Sequence, residues 1–197
     1  MVKRTFDFCC AIGGLIVLSP ILLLAALSVK LSSPGPIFFR QVRIGRSGVP
    51  FRIFKLRTMS GDEPTSGPIL TIGADPRITR IGHFLRTSKI DELPQLINVV
   101  IGDMSLVGPR PEVPKYVDKW TPAQREIILS VRPGVTGPAS LQFRNQTELL
   151  AKYDDPEAAY ETVITQEKLK LCEDYIRTGT LWTDIRLILQ TVISLFR

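Results

Sequence analysis

The sequence predicts a mainly α-helical chain with a small β-hairpin, embedded in a membrane from one side only. Three observations predict it. Residues 8–27 are apolar and carry no charge, with Ser19-Pro20 near the middle of the run. Basic residues flank that run on both sides. Two β-rich stretches then enclose a turn rich in Gly, Ser and Pro, and helical patterns fill most of the remainder. The expected organisation is a monotopic one. A re-entrant helix-break-helix covers residues 1–31. A domain on the cytoplasmic face covers residues 32–197, its helices cytosolic or interfacial, and the two form a single structural unit.

The apolar run is twenty residues long, about what spans a hydrocarbon core of roughly 30 Å. A cleaved signal peptide opens in the same way, with Lys3 and Arg4 ahead of an apolar stretch. The run is long for that, however, and no convincing small-x-small cleavage site follows. Pro20 has no N–H and its ring presses on the carbonyl four residues back, so a helix kinks there. Ser19 can bond backbone groups freed by the kink, which lipid cannot do. Lys3 and Arg4 precede the run, and Lys30, Arg40, Arg43 and Arg46 follow it. The positive-inside rule holds both flanks in the cytoplasm, so the segment enters and leaves one leaflet, and Met1 and Arg197 are both expected there. Spanning helices also contain kinking prolines, so an ordinary crossing stays open on this reasoning.

Residues 32–36, rich in Ser, Pro and Gly, read as a turn leaving the membrane. Residues 37–44 and 51–57 are rich in β-formers around Gly45, Ser47, Gly48 and Pro50, a hairpin pattern. Pro64, Gly67, Pro68 and Gly73 mark residues 61–75 as a surface loop. A short helix is expected over 78–86. The next starts near Asp91, with Pro94 in its first turn, and stops by Gly102. Pro109, Pro111 and Pro114 make the following stretch extended. Thr121-Pro122 is an N-cap followed by Pro at the first helical position, opening a helix to about Val131. Pro133, Gly134, Gly137 and Pro138 suggest a rigid loop, and Asp155-Pro156 opens another helix. Leu181, Trp182, Ile185, Ile188, Leu189, Val192, Ile193 and Phe196 recur at helical spacing. That stripe either packs on the core or lies in the membrane interface with Trp182 at headgroup level.

A chain of 197 residues suits one domain with a real core. The net charge of +6 points to an anionic partner: nucleic acid, a phosphorylated substrate or anionic lipid. Seven basic residues and no acidic one lie between Lys30 and Gly61. No helix-turn-helix, zinc-finger or RNP-like pattern accompanies them, which argues against nucleic acid. Cys9, Cys10 and Cys172 form neither a disulfide framework nor a zinc-ligand spacing. The single histidine, His83, excludes chemistry that needs several.

The densest cluster of candidate chemistry runs from Arg86 through Lys89, Asp91 and Glu92 to Leu96. Adjacent carboxylates are commonly no more than a solvated helix start. Here the pair is expected at a helix N-terminus, whose dipole favours an ionised carboxylate and can bind phosphate. Arg86 and Lys89 lie near enough to offset an anionic substrate. An ionised carboxylate beside a divalent cation can attack phosphorus covalently. Magnesium suits the place, since no soft ligand is near and diphosphate oxygens can complete its shell.

These residues give the chain a resemblance to the monotopic phosphoglycosyl transferases, the bacterial sugar transferases that prime polysaccharides and glycoconjugates. DELPQLINVVIGDMSLVGPRP over 91–111 is the most specific stretch. KLRTM over 55–59, DPRITRIG over 75–82, RPGVTG over 132–137 and the run with Ser19-Pro20 are also similar, in the same order. The resemblance implies a re-entrant segment broken at the Ser-Pro pair, with the catalytic part on the cytoplasmic face of the bacterial inner membrane. It implies Asp91 as nucleophile, Glu92 as the second member of the dyad, and Mg2+ bound at both. It places Arg86 against phosphate and Pro109-Arg110-Pro111 near the nucleotide. Lys55, Arg57, Arg132 and Arg144 are carried as further substrate-binding positions. PASLQFRN over 138–145 departs from the Trp-Ala-Gln and Gly-Arg-Asn pattern of many members, so the sugar is not carried over.

The expected reaction moves sugar-1-phosphate from a UDP-sugar to polyprenyl (undecaprenyl) phosphate and releases UMP. It proceeds through an aspartyl-phosphosugar, as the first membrane step of glycoconjugate synthesis. Two other readings compete. One is a membrane-anchored basic protein that binds anionic lipid or nucleic acid without catalysis. The other is a polytopic transferase working through a ternary complex, which needs several spanning helices where this chain offers one apolar run. The role of Glu92, the length of the polyprenyl chain and a homodimer are left open.

Overall fold

The computed structural model describes residues 2–60 and 75–195. The chain is mainly helical with a few short strands. Its first element, α1 (Val2–Ser32), is a single helix long and apolar enough to cross a membrane. The break expected at Ser19-Pro20 is not present: the helix continues through both residues, and the sequence accounts for how. Pro20 cannot donate to the carbonyl of Ile16, four residues back. The Ser19 hydroxyl donates to that same carbonyl at 2.8 Å. In lipid, where water cannot serve the freed group, this bond replaces the missing one.

Only Asp7, Ala11, Ala25 and Val29 of α1 are buried. Ala11 joins a core of Ile53, Leu96, Val99 and Met104, and Ala25 and Val29 join Leu56 and Leu85. Both halves of the helix therefore rest on one globular body. Between them Ile16, Val17, Leu23, Leu24 and Leu27 are exposed. The ends are tied down by polar contacts. Arg4 donates to the carbonyls of Val99 and Val100, and Lys3 pairs with Asp184. Arg57 donates to the carbonyls of Ser33 and Pro34, just beyond the helix.

The expected hairpin is present as two short antiparallel pairs. Strands β1 (Phe38–Phe39), β2 (Val42–Ile44), β3 (Pro50–Arg52) and β4 (Lys55–Leu56) pair antiparallel as β2 with β3 and β1 with β4. The surface loop expected over 61–75 lies outside the described residues except for Asp75. Helix α2 (Arg80–Thr87) follows, capped by Thr79, whose hydroxyl accepts from Gly82 N. A 3-10 turn, Ile90–Glu92, leads into α3 (Gln95–Ile101), which ends at Gly102 with φ +103°. Asp91 thus sits in the tight turn ahead of the α-helix, not at its first residue, and the dipole argument gives way to discrete cations.

Strand β5 (Ser105–Val107) pairs parallel with β6 (Gly134–Thr136), where the sequence reading expected extended chain and a rigid loop. Between them stand α4 (Pro114–Val117) and α5 (Pro122–Ile128), the latter opened by a Thr121–Gln124 capping box and ending three residues before the expected Val131. Then come α6 (Pro138–Gln142), α7 (Gln146–Leu150) and α8 (Pro156–Ala159), with Asp155 as the cap of the last. A turn of π-helix over Tyr160–Ile164 joins α8 to α9 (Thr165–Thr178), and α10 (Leu181–Ser194) follows. These helices enclose two further cores, around Tyr160 and Leu150 and around Trp120 and Leu169. Of α10 only Asp184 is buried. Trp182, Leu189, Val192 and Ile193 are exposed, so most of the apolar stripe is left uncovered.

Candidate active site

The 3-10 turn sets Asp91 and Glu92 side by side, and three neighbouring elements bring cations to them. Asp91 is 1% exposed. Lys55 Nζ, from β4, stands 3.0 Å from Asp91 Oδ2 and 3.2 Å from Glu92 Oε1. The carboxylate of Asp91 accepts no hydrogen bond among the described residues, so its contact with Lys55 is an ion pair without hydrogen-bond alignment. Arg86, near the end of α2, donates through Nε to Thr58 Oγ1 at 2.8 Å. Burial lowers the pKa of its guanidinium, and Asp91 is the first group opposing that.

Arg110 grips Glu92 as a fork, Nη1 to Oε2 at 3.1 Å and Nη2 to Oε1 at 2.7 Å. Burial alone would raise the Glu92 carboxyl. Arg110, Lys55 and Lys89 outweigh it and hold the group well below the usual carboxylate range. The pairing in turn raises Arg110. Pro109 and Pro111 contribute no N–H, so the Pro-Arg-Pro strap is held through its carbonyls. Pro109 O accepts from Gly134 N at 2.8 Å, and Pro111 O from Arg43 Nη1 at 3.1 Å. Glu112 O accepts from Ile44 N at 2.9 Å. The strap is thereby clamped between β6 and the hairpin, with Arg110 in the middle.

A cavity of about 320 Å³ opens beside this cluster, with Lys89, Glu92, Arg110, Arg144 and Lys168 among its lining residues. Asp91 is not part of the wall, although its neighbours Lys89 and Glu92 are. Lys168 lies above the ring of Tyr160, 4.7 Å from its centroid, and burial brings its pKa down to about 8. Tyr160 donates to Glu112 Oε1 at 2.7 Å.

Of the positions expected from sequence, the structure brings together Lys55, Arg86, Asp91, Glu92 and Arg110, with Arg144 on the cavity wall. It does not bring Arg57 or Arg132 there. Arg57 serves the carbonyls after α1, and Arg132 Nε donates to Gly102 O at 2.7 Å. Both sit in motifs that position backbone, and a motif does not distinguish an arginine aimed at substrate from one aimed at a carbonyl. Lys168 was missed because its surroundings in α9 read as an ordinary polar helix. Glu112 follows the strap directly, and only its proximity to Arg110 could have pointed to it.

Among the described residues no three His, Cys, Asp or Glu side chains group to hold a metal. Magnesium needs fewer, because it commonly takes one or two carboxylates and completes its shell with phosphate and water. Asp91 has buried oxygens without hydrogen-bond donors, and Glu92 is adjacent. The residues fit a hard cation on that basis.

A family model described as bacterial sugar transferase matches residues 1–197. The chain is 41% identical over 196 residues to a UDP-glucose:undecaprenyl-phosphate glucose-1-phosphate transferase of Caulobacter vibrioides, covering 98% of this chain and 69% of that protein. It is 37% identical over 199 residues to the protein of the same description in Escherichia coli, covering 100% of this chain and 40% of that one. A UDP-N-acetylgalactosamine-undecaprenyl-phosphate N-acetylgalactosaminephosphotransferase of Aeromonas hydrophila is 35% identical over 198 residues, 97% of this chain and 43% of its own length. This chain thus spans less than half of the last two.

Proposed function

This chain belongs to the bacterial sugar transferase family, and we propose that it moves sugar-1-phosphate from a UDP-sugar to undecaprenyl phosphate, releasing UMP. The observation that carries the reading is the buried Asp91 carboxylate, without hydrogen-bond donors, set among Lys55, Arg86 and the Arg110–Glu92 fork beside a cation-lined cavity. The relatives' names supply the substrates and differ in the sugar, which is left unassigned here.

Asp91 attacks the sugar-bearing phosphorus. The bond from that phosphorus to the bridging oxygen breaks, and UMP departs with the electron pair. The resulting aspartyl-phosphosugar is an acyl phosphate, reactive enough to pass its group on. An oxygen of polyprenyl phosphate then attacks the same phosphorus, and Asp91 leaves as carboxylate. Lys55 covers Asp91 in the resting arrangement, so its ammonium moves to the donor phosphate as the diphosphate enters. Arg110 keeps Glu92 ionised and oriented. Asp91 and Glu92 would hold Mg2+, whose charge, when bound, offsets that of the diphosphate.

The membrane reading is that α1 is re-entrant in the bacterial inner membrane, with the body on the cytoplasmic face. Its support is that both ends and both halves of α1 rest on one body while its middle is apolar and exposed. The exposed stripe of α10 fits the interface beside it.

The test is a panel of UDP-sugars with magnesium, first without lipid acceptor. The wild-type protein should release UMP stoichiometrically and retain the phosphosugar through denaturation. The label should be lost in hydroxylamine and be absent from Asp91→Asn. UMP that appears only with polyprenyl phosphate, with intersecting initial-rate plots, would demote Asp91 to a metal ligand and favour a ternary complex.

A further inference from the structure

We infer that Lys89 is a dedicated contact for the nucleotide-side phosphate of the donor, the group that departs as UMP. The inference rests on the transferase reading and adds a substrate-binding residue to it. Lys89 is one of two non-glycine residues with positive φ among those described, at φ +59° and ψ 13°. The other, Ser47, lies in the exposed hairpin turn. A left-handed residue with a long side chain is costly, and Gly or Asn would adopt the conformation more readily. The surroundings nonetheless enforce it. Lys89 N donates to Arg86 O, and Lys89 O accepts from Glu92 N, both at 3.2 Å. Strain held this way at a site is a pointer to function.

The side chain supplies the second observation. Lys55 and Arg110 are engaged by the carboxylates, and Arg86 by Thr58. The Lys89 ammonium makes no hydrogen bond and no ion pair among the described residues, yet the residue lines the cavity. A half-buried cation with no hydrogen bond and no close ion pair, on which Glu92 acts only from beyond ion-pair distance, is suited to an anion that arrives with the ligand. Position selects which phosphate. Asp91 stands behind the cavity wall, and its neighbours Lys89 and Glu92 form part of that wall. A nucleotide in the cavity therefore presents its own phosphate to Lys89, while the sugar-bearing phosphorus faces Asp91.

The experiment measures UMP and uridine binding to the full-length protein in lipid nanodiscs, for wild type, Lys89→Gly and Lys89→Arg. The glycine variant should melt no lower than wild type, because the backbone strain is relieved. Its UMP affinity should fall by about tenfold, the scale of a charge-assisted hydrogen bond. Its uridine affinity should be unchanged, and Lys89→Arg should keep UMP affinity within a few fold. Wild-type UMP affinity in Lys89→Gly would overturn the inference and leave the transferase reading standing. An equal loss for uridine and UMP would also overturn it, because the residue would then act on the base or the fold. A wild-type protein that binds no UMP would overturn both.

Discussion

Asn98 closes the open edge between β3 and β4 by bonding Phe54 as a strand would: its Oδ1 accepts from Phe54 N at 2.8 Å. Its Nδ2 donates to Arg52 O at 3.0 Å, and Asn98 is fully buried. Lys55 is the next residue, so this amide sets the position of the ammonium over Asp91. Asn98→Leu keeps the volume and strands two backbone groups. The expected cost is about 2–3 kcal/mol, from leaving buried polar groups unpaired. Denaturant unfolding checks the stability, and UMP release should fall at temperatures where the variant is still folded.

Gly82 admits the close approach of α2 to the strand region. A Cβ there would lie 2.0 Å from Thr58 O, a backbone atom that cannot yield. Gly82→Ala should push α2 away and break the Arg86–Thr58 bond. The expected destabilisation is about 1–3 kcal/mol, as for other overpacked sites. A melting temperature within a degree of wild type would show that α2 moves freely.

Lys168 predicts a pH dependence of stability. Its folded pKa, about 8, lies below the ordinary value of 10.5, so the unfolded chain holds the proton more tightly. The penalty is full below about pH 8 and is relieved as pH rises towards the unfolded value. Relative to Lys168→Met, the wild-type protein should therefore gain stability between pH 8 and 10. Parallel curves for the two proteins would show that Lys168 titrates normally.

A single-leaflet α1 predicts that both ends label from the same side. Cysteines at Val2 and Leu195, in a background where Cys9 and Cys10 are Ser, should resist an impermeant thiol reagent in intact cells and react after lysis. Reaction at Val2 in intact cells would instead indicate a crossing helix. The expectation made of Met1 and Arg197 themselves concerns residues outside those described.

The local signals that proved readable were those with a covalent or steric basis. Thr121-Pro122, Asp155-Pro156 and Gly102 restrict the backbone by themselves, and the structure places two caps and a helix stop there, whereas at Pro20 the helix runs on unbroken. The pairing of β5 with β6 was not readable. Three-residue strands have no periodicity, and Gly134 and Pro133 resemble a loop until Gly108 and Ser105 lie beside them. At the site, Asp91, Glu92 and Arg110 could be read from a contiguous motif. Lys55 could be named from sequence, but its distance to Asp91 depends on Asn98. Arg57 and Arg132 show the converse, since a basic side chain in a family-like stretch can be wholly committed to carbonyls.

The pairing of Lys3 with Asp184 joins residues 181 apart, and Ser105 reaches Asp7 over 98. During synthesis α1 emerges long before either partner, and N-terminal elements begin folding first. Its apolar middle can enter lipid at once, but its buried carboxylate at Asp7 waits for β5. Its lysine then waits for α10. A ribosome-stalled chain ending before Leu181 should consequently be membrane-bound yet protease-sensitive, because α10 is the helix that locks α1 against the body.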